Sequence, residues 1–236
     1  MSTFKFKHFS VKQASSAMKV GTDAMVLGAL VQKQNVSSIL DIGSGTGVLG
    51  LMLAQKFDNA QVLGVEIDKE AAAECKDNFT GSPWSNRMES IHGNVKDISF
   101  EKAFDLIISN PPFFQNALPN TDDRATLARH VSDLTPDVLS DFSQQNLTEL
   151  GEVWLIIPYL DRSIWVEAFK NNGLNLIKHI EISGVHETEP NRSVLIFSNQ
   201  KTVNIDLSKL SIRDKDGNYS EEYIQLTKDY HGVSLR

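Results

Sequence analysis

Cysteine is nearly missing: Cys75 is the only one in 236 residues. One thiol permits neither an internal disulfide nor a multi-cysteine metal site, and it fits a reducing cytoplasm. Long apolar runs are missing as well. No stretch approaches the roughly 18 residues of a membrane span, and the opening MSTFKFKHFS has no signal-peptide core. Repeats, low-complexity tracts and linker-like stretches do not occur. These absences lead to the expectation of a cytoplasmic chain with no membrane association, no metal and no obligate protein partner in evidence.

What is present is ordinary: 41% apolar and 22% charged residues, enough for one elaborated domain over residues 1–236. A net charge of −7 argues against a nucleic-acid substrate. Its distribution softens that objection. Residues 1–33 hold Lys5, Lys7, Lys12, Lys19 and Lys33 against Asp23 alone, a local +4 that leaves −11 for the rest. Phe4, Phe6, His8 and Phe9 are interleaved with the first lysines. An arm that tracks a phosphate backbone and stacks on bases needs that pattern. A solvated edge segment whose rings tuck into a core fits it equally.

Short apolar runs alternate with helical patterns. Strands are expected at Ile39–Ile42, Val62–Glu66, Glu89–His92, Phe104–Ser109, Glu152–Ile157, Leu176–Ile182 and Ser193–Ser198. Thr22 can cap a helix over Asp23–Leu30, Asp68 one through about Asn78, and Thr135-Pro136 one through about Leu147. This alternation predicts a mostly parallel α/β sheet covered on both faces, with an antiparallel strand at its end, where three strands share one helix over Arg162–Asn171. DKDGN at 214–218 resembles the start of a calcium loop, but Gln225 stands where the closing glutamate belongs. An Asp-Gly turn is expected instead.

ILDIGSGTGVLG, residues 39–50, carries a strand into a helix through Gly43, Gly45 and Gly47. Glycine is needed where backbone turns tightly and approaches a ligand, and the following helix aims its N–H groups at that ligand. Glu66, 23 residues beyond Gly43, ends the next strand, where a carboxylate can accept from both ribose hydroxyls; Ile67 beside it is counted with the same site. The glycines alternate, unlike the dinucleotide spacing, and Asp41 precedes them. An ammonium group can bond to Asp41, which favours S-adenosyl-L-methionine over NAD. Asn94, after the third strand, can accept from an adenine amino group.

IISNPPFF, residues 107–114, ends a strand in one carboxamide, two prolines and two rings. Prolines cannot continue the ladder, so the chain stops at Asn110 in a stiff turn. An aromatic amine delocalises its lone pair and is a poor nucleophile. Acceptors at its N–H bonds, the Asn110 carboxamide oxygen and the Pro111 carbonyl, favour a tetrahedral nitrogen and stabilise its developing positive charge. Pro112 stiffens the turn and Phe113 offers a stacking face. No strong base is required, so His130 has no catalytic part here.

These segments, with FKFKHFSV, AMKVGTDAMVLGAL, GVEIDKEAAAE, SPWSNR, RSVLIFS and DGNYSEEYIQLTKDYH, resemble the bacterial tRNA1(Val) (adenine(37)-N6)-methyltransferase family over nearly the whole chain. The resemblance implies a Rossmann-like class I methyltransferase fold, a doubly wound sheet of seven strands with one antiparallel. It implies methyl transfer to the N6 amine of the adenosine beside the anticodon of a tRNA. Asn110, Pro111, Pro112 and Phe113 would hold the adenine; Asp41, Gly43, Gly45, Gly47 and Glu66 the cofactor; Val20, Gly21, Thr22 and Asp23 its methionine end. Asn94 replaces the usual aspartate and Phe113 the commoner tyrosine. Residues 1–33 then form a basic, aromatic segment with a capping helix, and 112–134 a substrate-side insertion. Lys5, Lys7, Lys12, Arg124 and Arg129 are candidate RNA contacts, though Arg124 and Arg129 can equally pair with Asp122 and Asp123. The same strand-end motif serves ribosomal-RNA guanine-N2 and release-factor glutamine-N5 methyltransferases, and a non-enzymatic cofactor-binding module is the remaining alternative.

Overall fold

The computed structural model describes residues 3–14, 19–112, 134–232 and 235. All seven expected strands form: β3 (Ser38–Ile42), β4 (Gln61–Glu66), β5 (Met88–His92), β6 (Phe104–Ser109), β7 (Leu147–Pro158), β8 (Asn175–Val185) and β9 (Arg192–Ser198). An eighth, β10 (Asp206–Arg213), extends the sheet to the order β10-β8-β9-β7-β6-β3-β4-β5. One strand runs against the rest. β9 is antiparallel to both β7 and β8, so it lies inside the sheet and not at its end, where the sequence reading placed the antiparallel strand. β10 pairs parallel to β8.

The sheet is buried on both faces, which is why its central strands read as continuous apolar runs. Ile39, Val62, Leu106, Ile108 and Ile156 form one core with α1 (Thr22–Leu30) and α2 (Val48–Lys56). Leu40, Ile107, Val153, Leu155 and Ile157 form the other with α4 (Pro136–Asn146) and α5 (Arg162–Asn171). The third helix, α3 (Lys69–Thr80), buries Ala71, Ala72, Cys75 and Phe79 on one stripe. Two helix starts are those the sequence predicts: Asp68 accepts from Ala71 N–H, and Thr135 accepts from Val138 N–H ahead of Pro136. Thr22 does not cap α1. Gly21 is the N-cap, no side chain serves there, and Thr22 is already helical.

The N-terminal rings are not an arm. β1 (Thr3–Lys5) and β2 (Ser10–Lys12) form a hairpin that turns Phe6 and Phe9 inward, stacked at 4.2 Å, with Phe9 edge-on to Trp84 at 5.6 Å. Both rings are buried, so no base can stack on them. The hairpin is closed by the other end of the chain: Lys7 N–H donates to Tyr230 O, and Phe6 bridges to His231. α6 (Glu221–Thr227) packs near β10 and α1. DKDGN is a turn, with Asp214 Oδ1 accepting from Asp216 and Asn218 N–H and Gly217 at φ 85°.

Candidate active site

The chain leaves β3 through three glycines in the left-handed region, φ 68° at Gly43, 53° at Gly45 and 78° at Gly47. Gly43 N–H and Ser44 N–H donate to Val65 O, which folds the loop back over β4. Gly47 is the tightest point. A Cβ there would lie 2.5 Å from Phe79 Cε1 and 2.8 Å from Cys75 Sγ, so α2 can start this close to α3 only on glycine.

Glu66, nearly buried, braces the loop. Its Oε2 accepts from Gly45 N–H at 2.8 Å and its Oε1 from Asp68 N–H at 2.9 Å. Each oxygen keeps a second lone pair for a ligand hydroxyl. Ile67, the next residue, is 38% exposed at the rim. Asn94 is half-buried, and its Oδ1 accepts from Lys96 N–H at 3.2 Å, capping a short 3-10 turn over Val95–Asp97.

Asp41 is fully buried. Its Oδ2 accepts from Gly50 N–H at 3.0 Å, one of the free donors in the first turn of α2, while Oδ1 has no partner among the described residues. Burial lifts this carboxyl to about 7, against the pull of the Gly50 hydrogen bond and with a further push from Glu66. An acid whose folded pKa exceeds its unfolded value holds its proton more tightly when folded. The ligand-free fold therefore loses stability as pH rises from about 4 to about 7. The Asp41→Asn variant should lack this decline, keeping its thermal midpoint level between about pH 5 and about pH 7, where the parent's midpoint falls. Equal pH dependence in the two proteins would show Asp41 ionised throughout.

The second half of the site is the end of β6. Ser109, fully buried, donates its hydroxyl to Ile42 O at 2.8 Å and so ties this strand end to the start of the glycine loop. Asn110 follows, half-buried, then buried Pro111 and half-buried Pro112. Asn110 Oδ1 is shielded from solvent and accepts from no described residue. An unmet buried acceptor costs about 1–3 kcal/mol, which a ligand donor would recover. Phe113, Arg124, Arg129 and His130 lie outside the described residues.

On the remaining side, Val20–Asp23 lead into α1. Val20 N–H donates to Gln13 Oε1, and Asp23 Oδ2 accepts from Arg192 Nε at 2.9 Å. Residues 12–14 are laid beside the glycine loop: Asn78 bonds both ways with the Lys12 backbone and donates to Thr46 O, and Glu74 accepts from Ala14 N–H. Lys5, Lys7 and Lys12 are exposed, Lys12 within 3.9 Å of Asp77. Arg192, Asn78 and Glu74 escape sequence reasoning. Arg192 meets Asp23 across 169 residues of chain, whereas Asn78 gives a readable signal, a polar residue on the buried stripe of an amphipathic helix.

The groups brought together are thus two shielded acceptors without a partner among the described residues, a backbone cradle and a carboxylate, a set that suits a cationic, ribose-bearing cofactor beside a planar amine. Residues 10–157 match the family model described as Methyltransferase small domain. The tRNA1(Val) (adenine(37)-N6)-methyltransferase of Shewanella sp. (strain MR-4) is 34% identical over 97% of this chain and 98% of its own. The protein of the same name from Flavobacterium psychrophilum is 38% identical over the same shares. Among solved structures, a predicted O-methyltransferase from Agrobacterium tumefaciens superposes with TM-score 0.67 at 17% identity, covering 90% of this chain and 98% of that one. A ribosomal protein L11 methylase from Lactobacillus delbrueckii subsp. bulgaricus gives 0.51 at 19%, covering 75% and 77%. Both show the fold alone.

Proposed function

Because this chain belongs to the tRNA1(Val) (adenine(37)-N6)-methyltransferase family, we propose that it methylates the N6 amine of adenosine 37 of that tRNA, with S-adenosyl-L-methionine as donor. Bound cofactor supplies an electrophilic methyl group on a sulfonium. Gly43, Gly45 and Gly47 let the backbone approach it, Glu66 takes the ribose hydroxyls, and Asn94 the adenine amine. Asp41 meets the ammonium through Oδ1, its open acceptor, and Val20–Asp23 close over the methionine end.

The observation that carries the reading is the shielded, unpartnered Oδ1 of Asn110 at the end of β6. It accepts from one N6 hydrogen and the Pro111 carbonyl from the other, so the nitrogen lone pair is freed toward the methyl carbon. Bound S-adenosyl-L-methionine would supply the methyl group to that lone pair, and the surplus N6 proton would leave to water. Pro112 holds the turn and Phe113 stacks on the adenine, a contact worth about 1–3 kcal/mol. The base must first be turned out of its stacked loop. The whole chain acts as one methyltransferase domain, in the cytoplasm where its tRNA is found; among the described residues no helix is long and apolar enough to cross a membrane.

Incubation with labelled methyl donor and separate pools of tRNA, ribosomal RNA, DNA and protein tests this. Label is expected in N6-methyladenosine of tRNA. Label in guanine or in glutamine instead would transfer the enzyme to a neighbouring substrate class.

A further inference from the structure

The cofactor loop and Glu66 occupy the carboxyl end of the sheet over β3 and β4. On the tRNA reading above, the nucleotides flanking the target base then run over the other half, along β7, β9, β8 and β10. The registers set a band of side chains there at the height of Asn110–Pro112. Ser109 stands opposite Leu155, so Pro111 is level with Ile157 two residues on. Ile157 pairs with Ser193, Ser193 with Glu181, and Glu181 with Lys209.

Around that line the side chains form one connected layer. The Arg162 guanidinium lies 3.9 Å over the Tyr159 ring, and Tyr159 runs within 23° of parallel to His179 at 6.4 Å. Tyr159 O–H donates to Glu181 Oε1 at 3.1 Å, and Glu181 Oε2 holds Lys209 Nζ at 3.1 Å. The rim of the layer is open to solvent, with the Lys209 side chain 82% exposed and neighbouring Leu160 84% exposed, while Tyr159 and Arg162 are half-buried. Arg162 and Lys209 bring two full positive charges here, with Glu181 paired to Lys209 and Asp161 next to Arg162 along the chain. Guanidinium and aromatic planes beside an accessible ammonium are what unstacked RNA requires, since bases stack on such planes while phosphates meet the cations.

We propose that Arg162, Tyr159 and Lys209 form a second RNA station, where a nucleotide flanking the target stacks on the Arg162–Tyr159 layer and its phosphate meets Lys209. Four strand spacings, about 19 Å, separate Lys209 on β10 from β6, which sets its phosphate contact apart from the target base and leaves room for intervening nucleotides.

The test is titration of the full chain with an unmodified anticodon stem-loop RNA over a range of salt, without cofactor. The R162A/K209A double variant should bind about tenfold more weakly, with a log–log salt slope reduced by about 1 to 2. Its KM for S-adenosyl-L-methionine should stay within about twofold, since neither residue touches the cofactor loop. Arg162→Lys should keep the parent's slope and still bind more weakly, because it retains the charge and loses the planar face. Lys178→Ala is the control. Lys178 pairs with Asp206 at 2.8 Å on the opposite face of the same two strands, so its loss should leave binding unchanged. Parent-like affinity and slope in R162A/K209A overturn the station, and so does an equal loss in Lys178→Ala. Titration needs no methyl transfer, so a failure of the tRNA reading shows separately, as tRNA that acquires no label.

Discussion

Asn110→Ala should slow single-turnover methyl transfer by about 100- to 1,000-fold, the range seen when one placed hydrogen-bonding group is removed from a reacting centre. Cofactor affinity should change little, because the glycine loop, Glu66 and Asp41 are held by bonds that do not involve Asn110. Folding should not suffer either. The side chain removed carries a shielded oxygen with no described donor, so its loss relieves an unmet acceptor as it leaves a small void. The split between chemistry and stability is the diagnostic feature. Asn110→Asp, which keeps an acceptor and loses the amide donor, should retain more activity than alanine. Parent-like turnover in Asn110→Ala would remove the carboxamide from the mechanism.

Gly47→Ala should do the opposite, damaging the fold before the chemistry. Two costs coincide there. A left-handed φ of 78° costs an L residue about 1–2 kcal/mol. The new methyl would also sit 2.5 Å from Phe79 Cε1 and 2.8 Å from Cys75 Sγ, an overpacking cost of about 1–3 kcal/mol. Together these amount to about 2–5 kcal/mol, readable by urea unfolding. The start of α2 must shift to relieve the clash, so cofactor affinity should fall with it. Gly173→Ala separates the two costs. It shares the left-handed backbone at φ 82°, but nothing lies within 4 Å of its added Cβ, so only the dihedral cost of about 1–2 kcal/mol should appear. Equal losses at the two positions would mean that contact with α3 contributes nothing.

Much of the sheet can be read directly from the sequence. β3, β4, β6 and β7 are buried on both faces and therefore stand out as apolar runs, and Asp68 and Thr135 mark their helices by side-chain chemistry that is local. β10 is different: only Leu210 is buried and Leu207 is 71% exposed, so the strand carries no apolar run. β1 and β2 are three residues each, too short for a period to show. The direction of β9 is set by pairing with strands on both sides, which no local pattern encodes. In the candidate site, the turn chemistry of the three glycines is legible because their spacing answers a backbone need. Arg192 is not, because its partner Asp23 lies in the first helix and only the finished sheet brings them together. The N-terminal phenylalanines were open to two readings for the same reason: composition cannot distinguish a ring offered to a base from one stacked on another ring.

The hairpin at the start of the chain leans on Tyr230 and His231. A ribosome making this protein therefore releases the hairpin long before Tyr230 and His231 exist to pair with the backbone of Lys7 and Phe6. Contacts of such long sequence separation form late. Pairing of the amino-terminal edge is thus a late event in the protein's manufacture, and a nascent chain halted short of Tyr230 would carry an unpaired backbone edge at Phe6 and Lys7 for other chains to find.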